Sequence, residues 1–142
     1  MIYYSIEPEV AGGLGKNTIL QNQSHPPNVI NLHYEFEGRS GDVLLETFPC
    51  YILKKNVGDE LIRLKLSGFN LKKVEISKTA EFEEANPEIA LPEFYWLQVI
   101  GSPGTDDFGV SPDFKLVVSE NAFNILNEHG LNNAIVERVV NS

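Results

Sequence analysis

The run Phe94-Tyr95-Trp96-Leu97-Gln98-Val99-Ile100 constrains this chain more than any other feature. Aromatic and branched side chains dominate it, which favours a strand, and Gly101-Ser102-Pro103-Gly104 stops it at once. Successive strand residues point to opposite faces, so at most one of Tyr95 and the Phe94–Trp96 pair can sit on a single core face. The other must meet solvent, a covering helix or a partner, and a covering helix is the simplest way to shelter it. A sheet with helices laid on it is therefore expected.

The flanking segments supply those pieces. Ile2–Ile6 reads as a short strand ending at Pro8, and Leu32–Glu37 alternates apolar and polar residues up to Gly38. Leu44–Leu53 contains a further strand. Asn56–Ser67 reads as a helix with Leu61, Leu64 and Ile62 available to the core, ended by Gly68. Phe69–Ile76 follows as a strand, and Ser77 or Thr79 caps a short helix through Ala85 that Asn86-Pro87 stops. Phe114–Val118 is another strand, Ser119 caps a helix through Glu128 with Gly130 beyond it, and Ile135–Val140 closes the chain. The pattern predicts an α+β fold, mostly antiparallel or mixed sheet with two or three short helices. The chain's 142 residues suit one domain spanning 1–142. Leu61, Leu66 and Val74 recur as Leu126, Leu131 and Val139, each 65 residues on; three aliphatic matches support the α+β class and no more.

Residues 11–31 differ from all of this. Glycine, asparagine and proline crowd the stretch, which predicts a long loop and a first candidate for a binding surface.

With 42% hydrophobic and 22% charged residues the chain lies well inside the folding regime. Cys50 is the single cysteine, so no internal disulfide or cysteine metal cluster is possible, and its apolar neighbours mark it as a small buried group. The opening Met1-Ile2-Tyr3-Tyr4-Ser5-Ile6-Glu7 lacks the basic start of a signal peptide. No apolar run approaches the ~20 residues of a membrane helix. A cytoplasmic location away from membranes is expected.

The net charge of −9 is unevenly placed: residues 1–53 carry −4, residues 54–80 carry +4 and residues 81–142 carry −9. A strongly acidic surface repels nucleic-acid backbones and attracts a basic protein, although charge also serves solubility alone. Lys54, Lys55, Lys72 and Lys73 form a small basic block that reads equally well as solvated surface.

Catalytic motifs fail one by one. Gly12-Gly13-Leu14-Gly15-Lys16-Asn17-Thr18 resembles a phosphate loop, but the first glycine would fall on Val10 and Asn17 displaces the hydroxyl residue. Asp107-Phe108-Gly109 copies a kinase triplet without the kinase's other parts, and fits a turn. His25, His33 and His129 share no metal-ligand spacing, and no serine elbow is present. No catalytic residue, metal or cofactor is expected.

Val118-Ser119-Glu120 leading to Glu128-His129-Gly130-Leu131, with Leu66-Ser67-Gly68-Phe69 after an earlier helix, resembles the bacterial polymorphic-toxin immunity proteins of the DUF1629-like group. The similarity spans roughly residues 44–142, while the opening Tyr3-Tyr4 and Glu7–Gly15 look like uncharacterised bacterial relatives. The resemblance implies binding and neutralisation of a cognate toxin, without turnover. Candidate partner-binding residues are Asp106, Asp107, Glu81, Glu84, Glu88 and Trp96. Two other readings stand beside it: an enzyme with a cleft near the 11–31 loop, and a structural or assembly subunit. A homo-oligomer is compatible with each.

Overall fold

The computed structural model describes residues 2–21, 27–38 and 41–139. The first part of the chain forms β1 (Tyr3–Glu7), β2 (Gly12–Leu14), β3 (Ile19–Gln21), β4 (Asn28–Asn31) and β5 (His33–Phe36). Then come β6 (Leu44–Thr47), β7 (Cys50–Lys54), α1 (Lys55–Arg63), β8 (Phe69–Lys72), β9 (Glu75–Lys78) and α2 (Ala80–Ala85). The chain continues as β10 (Phe94–Val99), β11 (Phe108–Val110), β12 (Leu116–Ser119), α3 (Glu120–Gly130) and β13 (Ile135–Arg138). The expected α+β class, with a mixed set of sheets and three helices, is what forms.

Two four-stranded sheets share one plan. One has the order β6-β7-β10-β8 and the other β11-β12-β1-β13. In each, a hairpin leads into a helix, the helix returns the chain to a far strand, and a strand from elsewhere fills the gap antiparallel to both neighbours. The correspondence is positional. Tyr95 pairs with Leu53 and Leu97 with Tyr51 and Leu71. Tyr4 pairs with Val118, and Ile6 with Leu116 and Val136. Leu53, Tyr51 and Leu71 each lie 65 residues before Val118, Leu116 and Val136. The offset also joins the fully buried Leu61 and Leu126, one in each helix. The repeat hinted at by three leucine and valine matches is thus a repeat of register and burial.

One core receives the inner faces of both units. Ile6, Leu116 and Val118 meet Leu44, Leu53 and Leu97, and the helices add Val57, Leu61, Ala122 and Leu126. Each central-strand tyrosine covers the helix of its own unit. Tyr4 stacks on Phe123 at 4.4 Å between ring centroids. In the other unit Gly58 stands 65 residues before Phe123, and a Cβ there would lie 2.7 Å from the Tyr95 ring. Glycine costs a helix interior about 1 kcal/mol relative to alanine, and here it leaves room for the Tyr95 ring.

The units differ on their outer faces. Over the β6-β7-β10-β8 sheet lies a second layer, the β2-β5-β9 sheet with α2, in which β5 and β9 run parallel. Between them Ile52, Trp96 and Cys50 join Tyr34, Phe36 and Phe82 in a second core. Tyr34 secures the layer: Ala11 N–H donates to its hydroxyl at 3.1 Å, and the hydroxyl donates to the Glu46 carbonyl at 3.3 Å.

Several boundaries depart from expectation for local reasons. Residues 11–31 carry β2, β3 and β4 where a continuous loop was expected; β2 is held by β5, and β3 with β4 forms a two-stranded ribbon. The segment 22–26, with His25, lies outside the described residues, as does Val140. α1 stops at Arg63 because Lys65 adopts a left-handed φ of 59°, leaving Leu64 and Ile62 exposed and Val57 with Leu61 facing the core. Gly68, at φ +98°, is pressed against the Phe108 carbonyl, where a Cβ would come within 2.2 Å. The predicted Phe69–Ile76 strand divides into β8 and β9, which enter different sheets. Phe114, at φ 63°, belongs to a turn, so β12 begins at Leu116. Thr79 caps α2 by accepting from Phe82 N–H at 3.1 Å, and Ser119 caps α3 by accepting from Ala122 N–H at 3.2 Å. Among the described residues no helix is long and apolar enough to cross a membrane.

Candidate protein-binding groove

The two units part at one pair of positions. In the uncovered unit β13 stays with β1 as far as Arg138, opposite Tyr4. In the covered unit β8 ends with Lys72 opposite Trp96, and Lys73, 65 residues before Arg138, leads the chain away into β9. Phe94 and Tyr95 therefore pair with β7 on one side and with no strand on the other. β9 is itself the terminal strand of its sheet. Between these edges runs a groove of about 630 Å³, bordered by Lys73, Val74 and residues 76–78 on one side and by residues 91–95 on the other.

Its floor is apolar and its rim charged. Val74, Ile76, Leu91 and Phe94 line it while also packing on the second core. Lys55, Lys73 and Lys78 stand around it with Glu93. Lys78 is committed: its Nζ donates to the Ile89 carbonyl at 2.6 Å and lies 3.4 Å from Glu83. Lys55 donates to Asp59 at 3.0 Å, and the Tyr95 hydroxyl donates to the same carboxylate at 2.7 Å. The Tyr95 hydrogen bond, followed by Lys55, holds the Asp59 carboxyl below its usual range. Lys73 is exposed and makes no ion pair with the described residues.

The predicted acidic residues fall into two separate groups. Glu81 and Glu84 are exposed on α2, and Glu88 is exposed on the segment leading from α2 to the groove wall at Leu91. None of the three is ion-paired among the described residues, so their charge is presented outward. Asp106 and Asp107 lie beyond the opposite end of β10 and are used within the chain. Asp106 accepts from Ser102 N–H at 2.8 Å. Asp107 accepts from Ser67 N–H at 2.8 Å and from the Ser119 hydroxyl at 2.6 Å, while its own N–H donates to the Ser67 hydroxyl at 3.2 Å. Asp107 therefore ties the turn after α1 to the cap of α3, and Phe108-Gly109 of the kinase-like triplet belongs to β11. Trp96, expected at a partner surface, is 6% exposed because the second layer covers that face of β10.

One polar cluster was not singled out from the sequence. His33 is 3% exposed on β5, with Nε2 2.6 Å from the Ser77 hydroxyl, and Ser77 borders the groove. The distance suits a nucleophile and its base, but the tautomer does not. Asn17 N–H donates to Nδ1 at 3.2 Å, so the neutral ring carries its proton on Nε2 and donates to serine. A base for Ser77 would need that nitrogen bare. The pair instead pins the Gly15–Thr18 turn over β5, where a Cβ on Gly15 would meet the ring at 2.2 Å. Its only advance signal was the pairing of β5 with β9, which sequence spacing does not reveal.

Other perturbed groups stand alone. Burial pushes the Cys50 thiol up to about 12, far from a reactive thiolate. Burial, and next the charge of Glu7, raises the Glu46 carboxyl. Among the described residues no three histidine, cysteine or carboxylate side chains gather to hold a metal ion. Neither protein-family models nor curated proteins give a match for this chain.

Proposed function

We propose that this chain is a cytoplasmic immunity protein, which binds a basic face of a cognate bacterial toxin and occludes it without chemistry of its own. The observation that carries this reading is the exposed charge of Glu81, Glu84 and Glu88, which make no ion pair among the described residues, on α2 and the segment that leads to an apolar groove. Exposed carboxylates steer a basic partner during encounter, and an adjoining apolar surface supplies the area that holds it once docked. The segments resembling the immunity proteins lie at the β12–α3 junction, the end of α3 and the α1–β8 turn, where they serve caps and turns. They support the scaffold, and the covered unit offers the contact surface. Asp106, Asp107 and Trp96 act in folding under this reading.

The test is co-expression with the toxin gene product that co-purifies with this chain. The chain rescues growth, and the triple variant E81K/E84K/E88K, which changes only exposed positions, loses both rescue and co-purification. Rescue by the triple variant at wild-type level, or no co-purifying toxin at all, would count against the proposal.

A further inference from the structure

We propose that the groove accepts an extended segment of a partner protein as an added strand on the free edge of β9, and that the segment alternates apolar residues with aspartate or glutamate. The inference rests on reading this face as protein-binding, but not on the partner being a toxin.

The first argument is the direction of the groove. A channel lying across the face of a sheet touches every second residue of a strand, because alternate side chains point away. This one is bordered by Ile76, Ser77 and Lys78 in succession, so it runs along the strand edge. The second argument is the backbone. Glu75 N–H donates to Leu32 and Thr79 N–H to Phe36, at 3.0 and 2.9 Å, which aims odd-numbered residues of β9 at β5. The amides and carbonyls of Ile76 and Lys78 consequently point outward, into the groove, as a template for another strand. Added strands gain affinity from such main-chain bonds and specificity from alternate side chains.

Charge decides which segment fits. Three lysines against one glutamate border the groove; Lys55 is paired with Asp59 and Lys78 with Glu83, while Lys73 makes no ion pair among the described residues. A basic segment would meet Lys73 at close range. An acidic one would neutralise it, while its apolar residues reach Val74, Leu91 and Phe94.

Selection of a phage-displayed library of random dodecapeptides on the intact chain tests this. The expected winners alternate apolar and acidic residues and lack internal proline. Bound as synthetic peptides, they slow amide hydrogen exchange at Ile76 and Lys78 at least tenfold. Lys73→Glu, an exposed change that leaves the fold intact, weakens them several-fold at low salt and much less at 0.5 M salt, roughly where the Debye length has shrunk to a few ångströms. Enrichment of basic peptides, enrichment of none, or protection elsewhere with Lys73→Glu binding normally would overturn the proposal. Toxin rescue that survives such a result would leave the α2 reading standing, and loss of rescue in E81K/E84K/E88K with peptide binding intact would separate the two in the other direction.

Discussion

The two halves of the principal core are built alike and finished differently. At matching positions on the outer faces, the covered unit pairs Ile52 with Trp96 and the uncovered unit pairs Val117 with Ser5. On the inner faces the match is close, Tyr95 and Leu97 standing where Tyr4 and Ile6 stand. The inner residues match, whereas on the outer faces Ile52 and Trp96 pack into the second core and Val117, though only 6% exposed, does not. The connection from β8 to β10 supplies part of that layer, together with α2 and the groove, whereas the uncovered unit takes its central strand from the start of the chain. Elaboration of one copy creates a surface the other lacks.

The largest effects should come from the inner face. Leu61→Ala and Leu126→Ala each remove a fully buried side chain at equivalent places and should each cost about 3 kcal/mol in chemical denaturation. A difference between them of more than about 3 kcal/mol, beyond the usual spread of such sites, would break the equivalence. The outer face sharpens the contrast. Ile52→Ala should cost about 3 kcal/mol in the second core, against about 1 to 2 kcal/mol for Val117→Ala, which is also buried but joins neither core among the described residues. Equal costs would mean that the layer adds little.

Asp107→Ala should cost about 2 kcal/mol, since it strips the Ser67 amide and the Ser119 cap hydroxyl of their acceptor. Thermal unfolding of the single variant and of Asp107→Asn checks this, the asparagine retaining part of the loss. The smallest effect concerns Glu46, which opposes Tyr51 in the covered unit where Val110 opposes Leu116 in the other. Its carboxyl is raised on folding, so its protonated form favours the fold below the unfolded value, and that contribution is lost as pH rises through the folded one. Glu46→Gln should therefore be more stable than the parent at neutral pH, with the gap closing in acid. A gap that widens in acid would show the sign to be wrong.

Much of this architecture was legible in the residues. The aromatic run at 94–99, the Thr79 and Ser119 caps and the alternating strand at 33–36 depend on local preference, and each forms close to its expected place. β2, β3 and β4 were hidden because glycine and asparagine enter strands when a paired neighbour secures them. The repeat was faint because it conserves register while exchanging Gly58 for Phe123 and Trp96 for Ser5. The groove was invisible for a related reason: it exists because Lys73 leaves one sheet for another, a tertiary event that no local pattern announces.

Under the proposed function, partners dock on the elaborated unit alone. A photocrosslinking amino acid placed at Glu84 or at Glu137, in cells co-expressing the proposed toxin partner, tests this most directly. Crosslinked toxin is predicted from position 84 and none from position 137, which lies on β13 of the uncovered unit. Crosslinking from 137 with none from 84 would contradict it.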